Sequence, residues 1–218
     1  MSRTALIVGA TGLVGRALLE RLLAAPEYGA VIVLGRRAPE AAHPKLRFVR
    51  STLEDLDTLA DPLAADDFYC CLGTTTRAAG GNAGLERVDY TMVLAAARAA
   101  QAGGASRAFV VSAAGTSARA MTFYSRLKAR MERDVATVGF AATHFFRPSL
   151  LLGARPGESR PAEALGQALA PLLAPLLVGP LRGYRPITGE AVAEAMLAVA
   201  RRRSGLAGVH VHALPLTD

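Results

Sequence analysis

Residues 5–15 read Ala5-Leu-Ile-Val-Gly-Ala-Thr-Gly-Leu-Val-Gly15. Ala5 to Val8 is a short apolar run, which suits a strand buried on both faces of a parallel sheet. Gly9, Gly12 and Gly15 follow at three-residue spacing. From Leu13 onward apolar residues recur at helical spacing, up to Pro26. A strand, a glycine loop and a helix in that order aim the unpaired N–H groups of a helix N-terminus, and the positive end of its dipole, at one point. Glycine permits the tight turn and lets the backbone approach a ligand closely. A loop of this kind in this context predicts a pyrophosphate site.

Strand and helix alternate outward from this unit. Apolar runs at residues 31–34, 46–49, 68–72, 108–111 and 141–146 read as further strands, and residues 208–214 as a last one. Between them, residues 85–102 form an alanine-rich helix stopped by Gly103-Gly104, and residues 121–138 form another. Residues 161–177 read as a helix with proline breaks, and 189–203 as a final helix. There is no internal repeat and no linker. Repeated strand–helix units predict an α/β protein: a Rossmann-like, doubly wound parallel sheet with a small C-terminal helical appendage. The expected organisation is one domain over residues 1–218, with about 149–218 contributing the substrate side.

The chain has 218 residues, 51% hydrophobic and 20% charged, close to an average globular protein. That length can bury a core without disulfides or metals, which excludes a disordered tail, a collagenous fibre and a disulfide-stapled miniprotein. The formal charge is +7, and Lys45 and Lys128 are the only lysines among 25 cationic residues. The arginines are dispersed, apart from residues 201–203, and aromatics are 6% with no Trp, so no stacking platform is evident. Specific nucleic-acid recognition is not expected. Cys70 and Cys71 are adjacent, form no CxxC pair and point to opposite faces of a strand as small hydrophobes, which fits a reducing cytoplasm. His210 and His212 share one face of a strand and read as surface histidines, and no metal site is expected. The apolar stretch 165–181 is interrupted by Pro171, Pro175 and Pro180 and is too short for a membrane span. The start carries Arg3 and an apolar run, but its glycine spacing assigns it to the loop and not to a signal peptide. A cytoplasmic protein without a membrane span is expected.

Two further patterns point to chemistry. Binders of the non-phosphorylated nicotinamide dinucleotide commonly place an acid about 20 residues past the glycine loop, to hold the ribose 2′-hydroxyl. Arg36 and Arg37 stand there, after Gly35. A carboxylate repels a 2′-phosphate, whereas a guanidinium binds it with paired hydrogen bonds, so NADPH is favoured. Tyr124 and Lys128 lie at i and i+4 on one predicted helix and therefore on one face. A phenol with a pKa near 10 is a poor proton donor and acceptor at neutral pH; an adjacent ammonium stabilises its phenolate.

The GxxGxxG spacing, the Arg pair and the Tyr–Lys pair together resemble the short-chain dehydrogenase/reductase superfamily. More narrowly, the chain is similar to its atypical, Tat-interacting-protein-like branch of epimerase-like oxidoreductases. The matching stretches are Leu34-Gly-Arg-Arg37, Cys70-Cys-Leu-Gly-Thr-Thr75, Arg87-Val-Asp89, the Tyr124/Lys128 pair, Phe146-Arg-Pro148 and Glu158-Ser-Arg-Pro161. The resemblance implies that Gly9, Thr11, Gly12, Leu13, Val14 and Gly15 surround the pyrophosphate. It implies that Arg36 and Arg37 take the 2′-phosphate and that Leu72 and Gly73 sit near the adenosine ribose or the pyrophosphate. Tyr124 is then the proton donor, Lys128 binds the nicotinamide ribose, Arg160 reaches the cofactor, and the backbone after Pro148 meets the nicotinamide amide. The superfamily usually has a Ser or Thr after the fifth strand to hold the substrate carbonyl. This chain has Ser112-Ala-Ala114, with Ala114 at the usual position, leaving Ser112 as a strand-end hydroxyl and Thr116 or Ser117 as substitutes. Residues 157–181 are either a substrate lid or a packing helix or homodimer contact. The expected activity is NADPH-dependent hydride transfer to a small carbonyl substrate that the sequence does not identify. The alternative is an NADPH-binding regulatory or redox-sensing protein acting through partners.

Overall fold

The structure, a computed structural model, describes residues 2–54, 56, 63–152, 186–202 and 207–215. Its elements are β1 (Arg3–Val8), α1 (Leu13–Ala24), β2 (Tyr28–Gly35), β3 (Leu46–Arg50), β4 (Asp67–Cys70), α2 (Asn82–Glu86), a π-helical turn (Arg87–Thr91) and α3 (Met92–Ala102). They continue with β5 (Arg107–Val111), α4 (Phe123–Ala136), β6 (Ala142–Pro148), β7 (Leu151–Leu152), β8 (Ile187–Thr188), α5 (Gly189–Arg201) and β9 (Gly208–Leu214). Seven strands form one sheet in the order β3-β2-β1-β4-β5-β6-β9, and every pairing is parallel. The order reverses between β1 and β4, and that is where a doubly wound sheet opens a crevice at its C-terminal rim.

Burial on both faces explains the unbroken apolar runs of the strands. In β1, Ala5 and Ile7 pack with Leu18, Leu22, Val192 and Met196 of α1 and α5. Leu6 and Val8 pack on the other face with Val93, Ala97, Met131 and Val135 of α3 and α4. Cys70 and Cys71 fall on opposite faces in the same way.

Three elements differ from the sequence expectation. The predicted helix 85–102 is broken into α2, the π-helical turn and α3, and the turn carries the fully buried Asp89. The fourth strand ends at Cys70, so Leu72 lies in the loop beyond it. The short parallel pair β7–β8 has too few residues to leave a periodic signal. The predicted helix 161–177 and the lid or dimer stretch 157–181 lie outside the described residues. Among the described residues, no helix is long and apolar enough to cross a membrane.

At the foot of the sheet, Asp67 is buried and its carboxylate collects four donations. Arg107 makes a bidentate pair at 2.7 Å through Nε and Nη2, Arg3 donates from Nη1 at 2.9 Å, and the Tyr28 hydroxyl donates at 2.5 Å. Arg3 and Arg107 also donate to the Ala200 carbonyl at the end of α5. At the β9 edge, His210 and His212 do share a face, but they are not isolated surface groups. Both stack on the buried His144 of β6, at 4.9 and 5.3 Å between ring centroids, and His144 Nδ1 is 3.1 Å from His212 Nε2.

Candidate cofactor and active site

The glycine loop is built as the sequence predicts, and contact distances explain its glycines. Gly9 adopts φ +76°, and a Cβ there would meet the Cys71 carbonyl carbon and oxygen at 2.6 Å. A Cβ on Gly15 would come within 2.1 Å of the Gly9 oxygen. The helix end behind the loop is bare. Gly12 is its N-cap, no side chain caps it, and its first turn carries no acid. The first-turn N–H groups are therefore left for an anion outside the helix. An uncapped helix start behind a loop that excludes a Cβ at Gly9 and Gly15 fits a pyrophosphate.

Two clefts open at the rim and share Leu72, Thr74 and Ala78. The larger, about 560 Å³, is lined by Gly9, Thr11, Leu34, Arg36, Arg37 and Leu72, among others. Both arginines are exposed. Its floor includes Leu53, held at φ +67°, a rare conformation for a bulky side chain, with its N–H donating to Ser51 Oγ at 2.8 Å. Glu54 and Arg87, a bidentate pair at 2.6 and 2.8 Å, also line this cleft. The smaller cleft, about 280 Å³, brings Gly12, Leu13, Val14, Leu72 and Gly73 together with Ser112, Tyr124 and Lys128.

Helix α4 presents the Tyr–Lys pair. Thr122 caps its start by accepting the Ser125 N–H at 3.1 Å, one turn before the face that enters the cleft. Lys128 Nζ lies 5.9 Å from the centre of the Tyr124 ring. The Lys128 side chain is only 2% exposed, and its Nζ lies 2.8 Å from Asp89 Oδ1. Burial opposes the ammonium, but the negative charge available on Tyr124 and that of Asp89 outweigh it and hold the Lys128 pKa above its ordinary value. Burial pushes the Cys70 thiol beside them up to about 12.

Ser112 sits at the end of β5, buried, with its N–H donating to the Phe146 carbonyl at 2.7 Å. Its hydroxyl lines the cleft. Thr116 is turned inward to donate to the Ala113 carbonyl at 2.7 Å and is 3.4 Å from Ser112 Oγ. Ser112 lines the smaller cleft, whereas Thr116 and Ser117 do not. Pro148 lines neither cleft; its carbonyl accepts the Ala114 N–H at 2.8 Å, and Leu151 beyond it reaches the smaller cleft. Arg160 lies outside the described residues. Sequence reasoning quoted Asp89 in a matching stretch but assigned it no role. No local signal sets it apart, because Glu86 and Arg87 stand beside it in the same predicted helix.

The NAD(P)H-binding family matches residues 9–151. The chain belongs to that family. Its relatives are of the Tat-interacting-protein-like kind, and its fold is that of the short-chain dehydrogenases/reductases. It is 33% identical over 200 residues to the mitochondrial protein FMP52 of Eremothecium gossypii, covering 90% of this chain and 88% of that protein. It is 34% identical over 170 residues to protein HTATIP2 of Rattus norvegicus, covering 76% and 69%. Among solved structures it is similar to an oxidoreductase of the short-chain dehydrogenase/reductase family from Burkholderia thailandensis, with a TM-score of 0.66 and 21% identity over 98% of this chain and 91% of that one. The cytoplasmic expectation is overturned here. The FMP52 relatives of E. gossypii and of two Aspergillus species are all named as mitochondrial, and buried cysteines report on packing and not on compartment.

Proposed function

We propose that the protein is an NADPH-dependent oxidoreductase acting on a small carbonyl or alcohol substrate, as one dinucleotide-binding domain over residues 1–218. One observation carries this reading. Tyr124, Lys128 and Ser112 face a cleft that continues, past Leu72 and Thr74, into the cleft bearing Arg36 and Arg37. Residues 12–14 would hold the pyrophosphate with backbone N–H groups, and Arg36 and Arg37 the 2′-phosphate. The bound nicotinamide supplies the hydride. Tyr124 delivers the proton to the carbonyl oxygen, Ser112 donates a hydrogen bond to that oxygen, and Lys128 stabilises the phenolate left behind.

A regulatory reading is favoured by a second observation. Ala114 offers only a methyl group where the superfamily has a hydroxyl, and its backbone is pinned to Pro148. Turnover separates the two. NADPH oxidation is followed at 340 nm over a panel of aldehydes and ketones with wild type and Tyr124→Phe. The expected loss in the variant is about 10²- to 10⁴-fold, with cofactor affinity kept. Equal turnover in the two proteins refutes the assignment of Tyr124, and tight NADPH binding without turnover on any carbonyl supports the regulatory reading.

A further inference from the structure

Asp89 has the geometry of a working part, although a Tyr–Lys–Ser constellation does not require it. Its residue is fully buried, and an ionised carboxylate is retained at such a place only where its charge is answered. Asp89 Oδ1 lies 2.8 Å from Lys128 Nζ, and Oδ2 accepts the Thr74 N–H at 2.9 Å. Thr74 lines both clefts. One carboxylate thus ties α4 to the loop that floors the cofactor crevice. The π-helical turn Arg87–Thr91 carries this carboxylate, and such turns are frequent at functional sites.

Among the described residues, the titratable groups facing Lys128 are few. Tyr124 faces it from its own helix, Cys70 from β4 and Asp89 from the π-helical turn. The Cys70 thiol, pushed up to about 12, is uncharged at neutral pH. Of these, Asp89 is the carboxylate, and it lies within ion-pair distance of the ammonium. A buried lysine deprived of its counter-charge sheds its proton within reach of neutral pH; fully buried lysines are known with pKa values of about 5–6.

We propose that Asp89 is a positioning residue: its carboxylate keeps the Lys128 ammonium protonated and fixed at the cleft, and so sets the pH range over which the site holds its cofactor. This rests on the reading of Lys128 as a cofactor-binding residue. Wild type, Asp89→Asn, Asp89→Glu and Lys128→Ala are titrated with NADPH by fluorescence from pH 6 to pH 9. Wild type and Asp89→Glu keep parallel profiles, whereas Asp89→Asn binds well at pH 6 and loses at least about tenfold more affinity than wild type by pH 9. Lys128→Ala binds weakly throughout. If Lys128→Ala binds as tightly as wild type, the cofactor reading of Lys128 is wrong. If Lys128→Ala is weak while Asp89→Asn runs parallel to wild type, the role given to Asp89 is overturned. Should circular dichroism show Asp89→Asn unfolded, Asp89→Glu decides: a wild-type profile upholds the proposal, and affinity that falls as pH rises overturns it.

Discussion

Replacing His144 with Phe changes how stability depends on pH, by an amount that follows from the ring's surroundings. His144 is fully buried, lies 5.1 Å from the Phe109 ring centre and stacks on His210. Its Nε2 has no hydrogen-bond partner. Burial, with the charges of His212 and His210 adding, pulls its pKa down to about 4 from an ordinary 6.5. The folded protein therefore resists protonation more than the unfolded chain does. The resulting loss is absent above the unfolded value, grows as pH falls through 6.5 and levels off below about 4. Linkage puts the cost of acidification at roughly 2 kcal/mol by pH 5 and about 3 kcal/mol when complete. For a chain of this size 2 kcal/mol corresponds to about 4–8 °C in Tm. Urea unfolding of wild type and His144→Phe at pH 7.5 and pH 5 checks this. The variant is less stable at pH 7.5, where it lacks the bond to His212 Nε2, and the gap narrows by about 2 kcal/mol at pH 5. Contributions of the distant carboxylates are common to both proteins and cancel in the difference. Parallel pH profiles would refute the reasoning.

Other changes have equally definite outcomes. Asp67→Ala strips Arg3 and Arg107 of a buried counter-charge and costs about 3 kcal/mol or more, read as a drop in melting temperature of at least about 6 °C; a shift below one degree contradicts the network. Gly15→Ala forces a Cβ into the Gly9 carbonyl, so NADPH affinity falls by at least about tenfold while circular dichroism keeps the α/β signature. Arg36→Ala with Arg37→Ala weakens NADPH by about thirtyfold and leaves NADH unchanged, since exposed charge-assisted contacts contribute about 1 kcal/mol each after screening; equal losses for both cofactors would remove the 2′-phosphate assignment.

The strands were legible because both faces of the sheet are covered: Ala5 to Val8 and residues 31–34 form continuous apolar runs with one possible meaning. The glycine loop was legible because backbone approach demands glycine at Gly9 and Gly15, and sequence records that demand directly. The Tyr124–Lys128 pair was legible because i, i+4 spacing fixes a shared face without tertiary information. Asp89 was not. Its partners, Lys128 and the Thr74 N–H, are far away in sequence, and a π-helical turn leaves no compositional mark. The hydroxyl at the cleft was read with alternatives open, because the turn of Thr116 toward the Ala113 carbonyl is a tertiary feature that no local pattern specifies. The stacking of His210 and His212 on His144 depends on the register of β6 with β9, which no local pattern specifies.

Arg3, Tyr28, Asp67 and Arg107 are each the opening residue of their strands. In a sheet whose strands all run one way, they form a keel at the end opposite the crevice. Anchorage and recognition are thereby segregated along a single axis. A change at the rim, at Leu151 for example, leaves untouched the ionic knot that joins four strands to the end of α5. Such a scaffold is evolvable at one pole and conservative at the other. A substitution at the crevice therefore leaves the ballast of the sheet in place.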